Sequence, residues 1–270
     1  MEKGLCHSIL VSEFKTSVFV LCTPERVLRI DSGLFHHLSA SLYLNCTMNA
    51  DPKRIAAEQA VEWVKEGMII GLGTGSTAYW AIQKIGERVK KGLQVRAVAS
   101  SENSAQLARQ LNIPLTPFEK INRIDVTIDG ADEVDPNKNL IKGGGGALLR
   151  EKIIASNSEK FIVVVDSSKV VTHLGEFPLP VEVVPFAENL TKQKIVALGC
   201  EAKWRMDKSK QYITDNGNLI LDCSFGRITD PSTLDRQLHL IPGVVETGLF
   251  VNMRPTVIVG HLNGKLDVLE

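Results

Sequence analysis

Four short apolar runs between residues 68 and 166 each stop on small, hydroxyl or acidic residues, and helical periods separate them. Met68-Ile69-Ile70-Gly71-Leu72 runs into Gly73-Thr74-Gly75-Ser76-Thr77, and Val95 to Ala99 into Ser100-Ser101. Asp125-Val126-Thr127-Ile128 runs into Asp129-Gly130-Ala131-Asp132, and Phe161 to Val165 into Asp166-Ser167-Ser168. An unbroken apolar run fits a strand covered on both faces, as in a parallel sheet. Parallel neighbours need crossover helices, which the intervening periods supply. Asp51 and Pro52 open one helix, whose face is Ala56, Ala60, Trp63 and Val64, and Gly67 is expected to end it. Others follow through Ala78 to Val89, Glu102 to Leu111, and Leu148 to Ile154. The fold class is therefore α/β with a doubly wound sheet.

After Pro178 the pattern changes. Val181 to Val184, Glu201 to Arg205 and Val244 to Val251 read as strands, and Glu188 to Leu198 and Pro231 to Leu240 as helices. Tyr212 to Thr214 and Leu219 to Leu221 flank Asp215-Asn216-Gly217-Asn218, a hairpin signal. This resembles a split βαβ, ferredoxin-like α+β module. The expected division is 48–177 plus 248–270 for the larger domain, with Thr256 to Val259 returning to its sheet, and 178–247 for the smaller. Residues 1–47 show no sustained period and read as a poorly ordered extension. Their acids Glu2, Glu13, Glu25 and Asp31 match Lys3, Lys15, Arg26 and Arg29, unlike an import signal, although a weak targeting role stays open.

Composition narrows the partners. Lys+Arg and Asp+Glu are both 31, so no global field draws in nucleic acid or an anionic membrane. Crossing a bilayer takes about 20 apolar residues, and no run approaches that. The 5 cysteines are widely spaced without a C-x-x-C, which fits neither a disulfide framework nor a zinc site. A reducing, cytoplasmic setting follows as the expectation.

Three clusters carry the chemistry. The loop 71–77 offers backbone N–H groups, a helix N-terminus and the hydroxyls of Thr74, Ser76 and Thr77, which suits an anion. It lacks the lysine of a nucleotide-binding P-loop and the third glycine of a dinucleotide fingerprint, so a phosphate without a dinucleotide is the better ligand. Asp129 and Asp132 emerge at a strand's carboxyl end, where open α/β sheets bind ligands, and can hold hydroxyls or move protons. Glu133 and Asp135 read as a solvated acidic turn. Lys142, before the run Gly143-Gly144-Gly145-Gly146, can stabilise an oxyanion, and Glu151 opens the next helix. Taken alone, Glu151 would be an ordinary surface acid and Lys169 a surface lysine. No histidine stands near these acids, and no metal is expected.

Together these stretches resemble the type A ribose-5-phosphate isomerase family. Gly-Thr-Gly-Ser-Thr at 73–77, Asp-Gly-Ala-Asp-Glu at 129–133, Lys-Gly-Gly-Gly-Gly at 142–146 and Arg-Glu-Lys-Ile at 150–153 carry the likeness. So do Phe-Pro-Leu-Pro-Val-Glu-Val at 177–183, Thr-Asp-Asn-Gly-Asn at 214–218 and Ile-Pro-Gly-Val-Val at 241–245, over about 48–270. The resemblance implies a Rossmann-like domain plus the smaller α+β domain. It also implies metal-free, cofactor-free interconversion of D-ribose 5-phosphate and D-ribulose 5-phosphate through an enediolate, in the non-oxidative pentose phosphate pathway. By position, it implies that Glu151 is the base between C1 and C2. Asp129 then assists ring opening and hydroxyl proton transfer, while Asp132 and Lys142 polarise the reacting oxygens. It assigns Thr74, Gly75, Ser76, Thr77, Asp129, Gly130, Ala131, Asp132, Lys142, Gly143, Gly144, Gly145 and Lys169 to substrate, and a homodimer or homotetramer to the assembly. The loosest match is Ser101-Glu102-Asn103-Ser104, whose neighbours Ser100-Ser101 can still line the site. The rivals are a non-catalytic sugar-phosphate sensor, for which residues 1–47 offer no helix-turn-helix, and an amino-sugar-phosphate isomerase or CoA transferase on a related scaffold.

Overall fold

The computed structural model describes residues 51–270 and three earlier strands. Those strands, β1 (Ser12–Phe14), β2 (Ser17–Thr23) and β3 (Arg26–Asp31), form an antiparallel sheet in chain order. The sequence reading had no strand there. Its expectation of a poorly ordered extension otherwise concerns residues outside those described. The chain divides into two units, Met1–Asn49 and Ala50–Glu270.

In the second unit, Asp51 Oδ1 accepts from Lys53 N (3.0 Å) and Arg54 N (3.3 Å) and starts α1 (Pro52–Val61). The helix ends earlier than Gly67, because tight turns take over. Trp63 N donates to Ala60 O and Val64 N to Val61 O. Gly67, at φ +78°, instead turns the chain into the first strand of the main sheet. The elements that follow are β4 (Ile69–Leu72), α2 (Ser76–Lys90), β5 (Arg96–Ala99), α3 (Glu102–Gln110) and β6 (Ile124–Gly130). Next come β7 (Glu133–Val134), β8 (Leu140–Ile141), α4 (Leu148–Ser156) and β9 (Ser158–Asp166).

The chain then builds β10 (Leu179–Val183), α5 (Glu188–Val196), β11 (Glu201–Trp204), β12 (Met206–Asp207), β13 (Lys210–Gln211) and β14 (Leu219–Ser224). It closes with α6 (Pro231–His239), β15 (Val244–Thr247), β16 (Leu249–Phe250), β17 (Thr256–Gly260) and β18 (Leu266–Leu269).

The main sheet has the order β18-β17-β9-β6-β4-β5. Every pair from β17 to β5 is parallel, and β18 is an antiparallel edge. Strand β4 therefore lies between β5 and β6, and its connection and that of β6 leave in opposite directions along the sheet. That reversal opens a crevice at the strands' carboxyl ends, the usual ligand site of such sheets. The core beneath is aliphatic, with Ile70, Leu72, Val126, Ile128, Ile162 and Val164 all at 2% exposure or less.

A second sheet, β11-β14-β10-β15, is antiparallel throughout. Helices α5 and α6 make it βαββαβ, the ferredoxin-like order. The hairpin expected at 212–221 is reduced to a single bridge, Ile213 to Leu219, closed by Thr214 N donating to Asn218 O. The stretch Val244 to Val251, expected as one strand, is two. At Gly248 the chain leaves the small sheet, donating to Pro180 O (2.7 Å) and accepting from Lys142 N (2.9 Å). A Cβ there would strike the Lys142 carbonyl. Strand β16 then joins β8 and β7 in a third sheet. Among the described residues no helix is long and apolar enough to cross a membrane.

Candidate active site

Both loops at the crevice are shaped around Asp129. Gly73 follows β4 with its N–H on Ile128 O (3.0 Å), so close to β6 that a Cβ would collide with the Asp129 carboxylate. Thr74 N (3.0 Å) and Gly130 N (2.7 Å) both donate to Asp129 Oδ1. Its other oxygen faces Lys142 Nζ at 3.0 Å.

Lys142 follows β8, where Gly248 fixes its backbone. Its ammonium donates to Gly130 O (2.5 Å) and lies 3.3 Å from Glu151 Oε2. The side chains of Asp129, Lys142 and Glu151 are at most 3% exposed, so one cation serves two carboxylates away from water. Glu151 sits in the first turn of α4, and its Oε2 accepts no hydrogen bond. Gly143, at φ +104°, turns the chain between Lys142 and that helix. Gly144 N donates to Asp132 Oδ2 (2.8 Å), and a Cβ on Gly144 would lie 2.6 Å from Asp132 Oδ1.

These charges set one another. Burial pushes the Glu151 carboxyl up to about 8, and the Asp129 charge adds to this, while Lys142 pulls it back. Burial also raises Asp129, against the pull of Lys142. Lys142 is held above its ordinary value: burial opposes this, and the two carboxylates outweigh it. The result is a fixed ammonium beside a carboxyl whose proton is exchangeable near neutral pH, the pairing needed to take a proton next to a carbonyl and hold the resulting oxyanion.

A chain of hydroxyls anchors the glycine loop. Thr74 Oγ1 lies 2.8 Å from both Ser100 Oγ and Ser101 Oγ, Ser101 Oγ donates to Ser104 Oγ (3.0 Å), and Ser104 Oγ donates to Gly73 O (2.6 Å). Ser101 also caps α3 by accepting from Ser104 N.

The open cleft above, about 520 Å³, gathers nearly all the sequence candidates. Thr74, Gly75, Ser76, Thr77, Gly130, Ala131, Asp132, Lys142, Gly143, Gly144, Gly145, Glu151 and Lys169 all line it. Asp129 lies just beneath, reaching it through Lys142. Two expectations fail. Glu133 is 3% exposed and accepts from Gly175 N and Phe177 N, and Asp135 is 7% exposed and holds Asn137 N and Asn139 N. These acids tie loops together and are not solvated. Lys53 lines the cleft too, with Nζ 3.1 Å from Ser76 Oγ, and the sequence reading missed it. Its only local signal is a helix start 20-odd residues before the loop it meets.

Within the site, Lys142 stands between the Asp129 and Glu151 carboxylates, and Gly144 N holds Asp132 Oδ2. The one cluster among the described residues with metal-ligand spacing, Asp235, His239 and Glu246, is elsewhere, and Lys152 occupies Glu246 Oε1 at 2.6 Å.

Residues 96–264 match the family model for ribose 5-phosphate isomerase A (phosphoriboisomerase A). The chain is 57% identical over 215 residues to ribose-5-phosphate isomerase A of Bacillus anthracis, covering 79% of this chain and 98% of that protein. Its fold matches ribose 5-phosphate isomerase A of Methanocaldococcus jannaschii with a TM-score of 0.77 and 42% identity, over 82% of this chain and 99% of that one. A D-ribose-5-phosphate isomerase solved with phospho-erythronic acid matches at TM-score 0.79 and 42% identity, over 82% and 98%. With this likeness running through the buried Asp129–Lys142–Glu151 cluster and the cleft above it, the chain belongs to the ribose-5-phosphate isomerase A family.

Proposed function

We propose that this chain interconverts D-ribose 5-phosphate and D-ribulose 5-phosphate, with Glu151 as the base. The carrying observation is one buried ammonium shared by Asp129 and a Glu151 whose carboxyl is raised to about 8. Ionised Glu151 takes the C2 proton of the open-chain aldose. The electron pair moves onto the C1 oxygen, and the enediolate is stabilised by Lys142, with Asp132 aligning the hydroxyls. Glu151 returns its proton to C1, and Asp129 carries the O2 hydroxyl proton to O1, so protons and charge balance. Asp129 also assists ring opening. A base raised toward the working pH binds its proton strongly enough to abstract and weakly enough to release.

The phosphate fits the N-terminus of α2. Gly75, Ser76 and Thr77 present N–H groups and hydroxyls there, with Lys53 and Lys169 in the same cleft. A dianion needs this local cradle and no charged protein around it. The division into 48–177 plus 248–270 and 178–247 follows the two sheets, with one apolar core around Ile70 and Ile162 and a second around Val181 and Leu221 that also takes in Ile141, Leu174 and Leu249 of the larger part. A homodimer or homotetramer in the cytoplasm completes the proposal, to be checked by light scattering and by cell fractionation.

The test is ketopentose formation from ribose 5-phosphate by the purified chain in excess EDTA. Turnover unaffected by EDTA is expected. No turnover would overturn the reading in favour of a sensor, and loss with EDTA would overturn the metal-free step.

A further inference from the structure

Glu151 is flanked in α4 by two cations: Lys152 reaches the edge strand of the small sheet, and Arg150 reaches the loop that precedes β14, with Nη1 also 3.2 Å from Glu102 Oε1 of α3. Lys152 Nζ donates to Glu246 Oε1 (2.6 Å), Thr247 O (2.8 Å) and Leu249 O (2.9 Å). Arg150 reaches the loop before β14, with Nε on Asn216 Oδ1 (2.9 Å) and Nη2 on Asp215 O (2.9 Å). That loop is held from below by Glu182 of β10, a carboxylate with 0% exposure and no cation bonded to it. Its Oε1 accepts from Thr214 Oγ1 (3.0 Å), Asn216 Nδ2 (3.1 Å) and Asn218 Nδ2 (2.9 Å), while Oε2 accepts nothing. Asn216 is thus two-handed: its amide N–H meets the buried carboxylate, and its carbonyl meets Arg150.

Glu182 and Glu246 are direct partners across the β10–β15 pair. Like charges on one rung of a sheet oppose stability, and so does a buried carboxylate without a cation. Apolar residues would serve a sheet better, which points to a use for the pair. Each carboxylate is the root of one anchor on the helix that carries Glu151.

We propose that the Glu182–Glu246 rung of the small sheet positions Glu151, through Asn216 and Arg150 on one side and Lys152 on the other. Asn216 and Glu182 are positioning residues and do not touch substrate. Lys142 fixes the charge that faces Glu151, and the rung fixes where along the cleft the carboxylate stands. The inference rests on Glu151 being the base.

The decisive variant is Asn216→Ala in the full chain, because Asn216 is exposed in its loop and the change removes no buried volume. A small misplacement of a reacting group lowers the chemical step more than binding, so kcat should fall about tenfold while KM changes less than about twofold. Asn216 is uncharged, so the pH midpoint of kcat/KM should stay at the native value. Glu182→Ala should lower kcat similarly, Glu182→Gln should recover more than half of that loss, and the double variant should be no worse than Glu182→Ala alone, since residues of one network do not add. Native kcat in Asn216→Ala, or kcat and KM falling together, or multiplicative losses in the double variant, would overturn the inference. Glu151→Gln run alongside separates the two claims: if it keeps its turnover, the base assignment fails, whereas an inactive Glu151→Gln beside a fully active Asn216→Ala removes only the positioning role.

Discussion

Replacing Asp129 by Asn should move the pH dependence of the enzyme toward acid. Asp129 Oδ2 and Glu151 Oε2 face the same ammonium at 3.0 and 3.3 Å, so the two carboxylates stand no more than about 6 Å apart. At an effective dielectric constant near 20, two unit charges at about 6 Å repel by about 3 kcal/mol, equivalent to about two pH units. Asn keeps the size and one acceptor for Thr74 N and Gly130 N, but removes the charge. It also leaves Lys142 to Glu151 alone, which pushes the same way. Native kcat/KM should rise as Glu151 loses its proton, with a midpoint about 8. In Asp129→Asn the maximum should fall, because hydroxyl proton transfer is lost, and the midpoint should drop by about two units. Initial rates of ketopentose formation across the range from about pH 5 to about pH 10, at constant ionic strength, read this directly. An unmoved midpoint, or one moved toward alkali, would refute the electrostatic account of the site.

Three further outcomes follow. Glu151 has its carboxyl raised in the folded chain from its ordinary value of 4.5 to about 8, so the fold binds a proton that the unfolded chain has released between those values. Stability should therefore fall as pH rises through that window, and Glu151→Gln should flatten the fall in thermal melts; a steeper fall in the variant would contradict this. Gly73→Ala places a methyl group against the Asp129 carboxylate, and a displacement near 1 Å should cost about a hundredfold in kcat/KM; near-native kinetics would show that the loop yields. Lys53→Ala and Lys169→Ala should raise KM for ribose 5-phosphate more than they lower kcat, whereas a loss confined to kcat would remove them from the phosphate site.

The parallel sheet was legible because each strand is a buried run with a loop of small or acidic residues at its carboxyl end. Asp129 lies at such a carboxyl end and was legible with the fold, whereas Glu151, inside α4, reads alone as a surface acid and was singled out only by the family resemblance. Burial was not legible. Nothing in Asp-Glu-Val-Asp tells that Glu133 and Asp135 turn inward to bind loop amides, because the partners Gly175, Phe177 and Asn139 are set by tertiary packing. Lys53 was invisible because only the docking of α1 beside the α2 loop brings it to Ser76. Strands β7, β8 and β16 hold two residues each, too few for a period, and the break at Gly248 depends on contacts with Pro180 and Lys142. The links from Arg150 to Asn216 and from Lys152 to Glu246 join segments 66 and 94 residues apart, which local patterns cannot encode.

The central claim is that Glu151 moves the proton, and the most direct measurement is kcat for Glu151→Gln with ribose 5-phosphate, paired with calorimetric binding of the same sugar phosphate. A lost general base should cost about a thousandfold in kcat while binding persists, since glutamine keeps the size and the phosphate cradle is untouched. Turnover within about tenfold of native would contradict the account and move the base to Asp129 or Asp132.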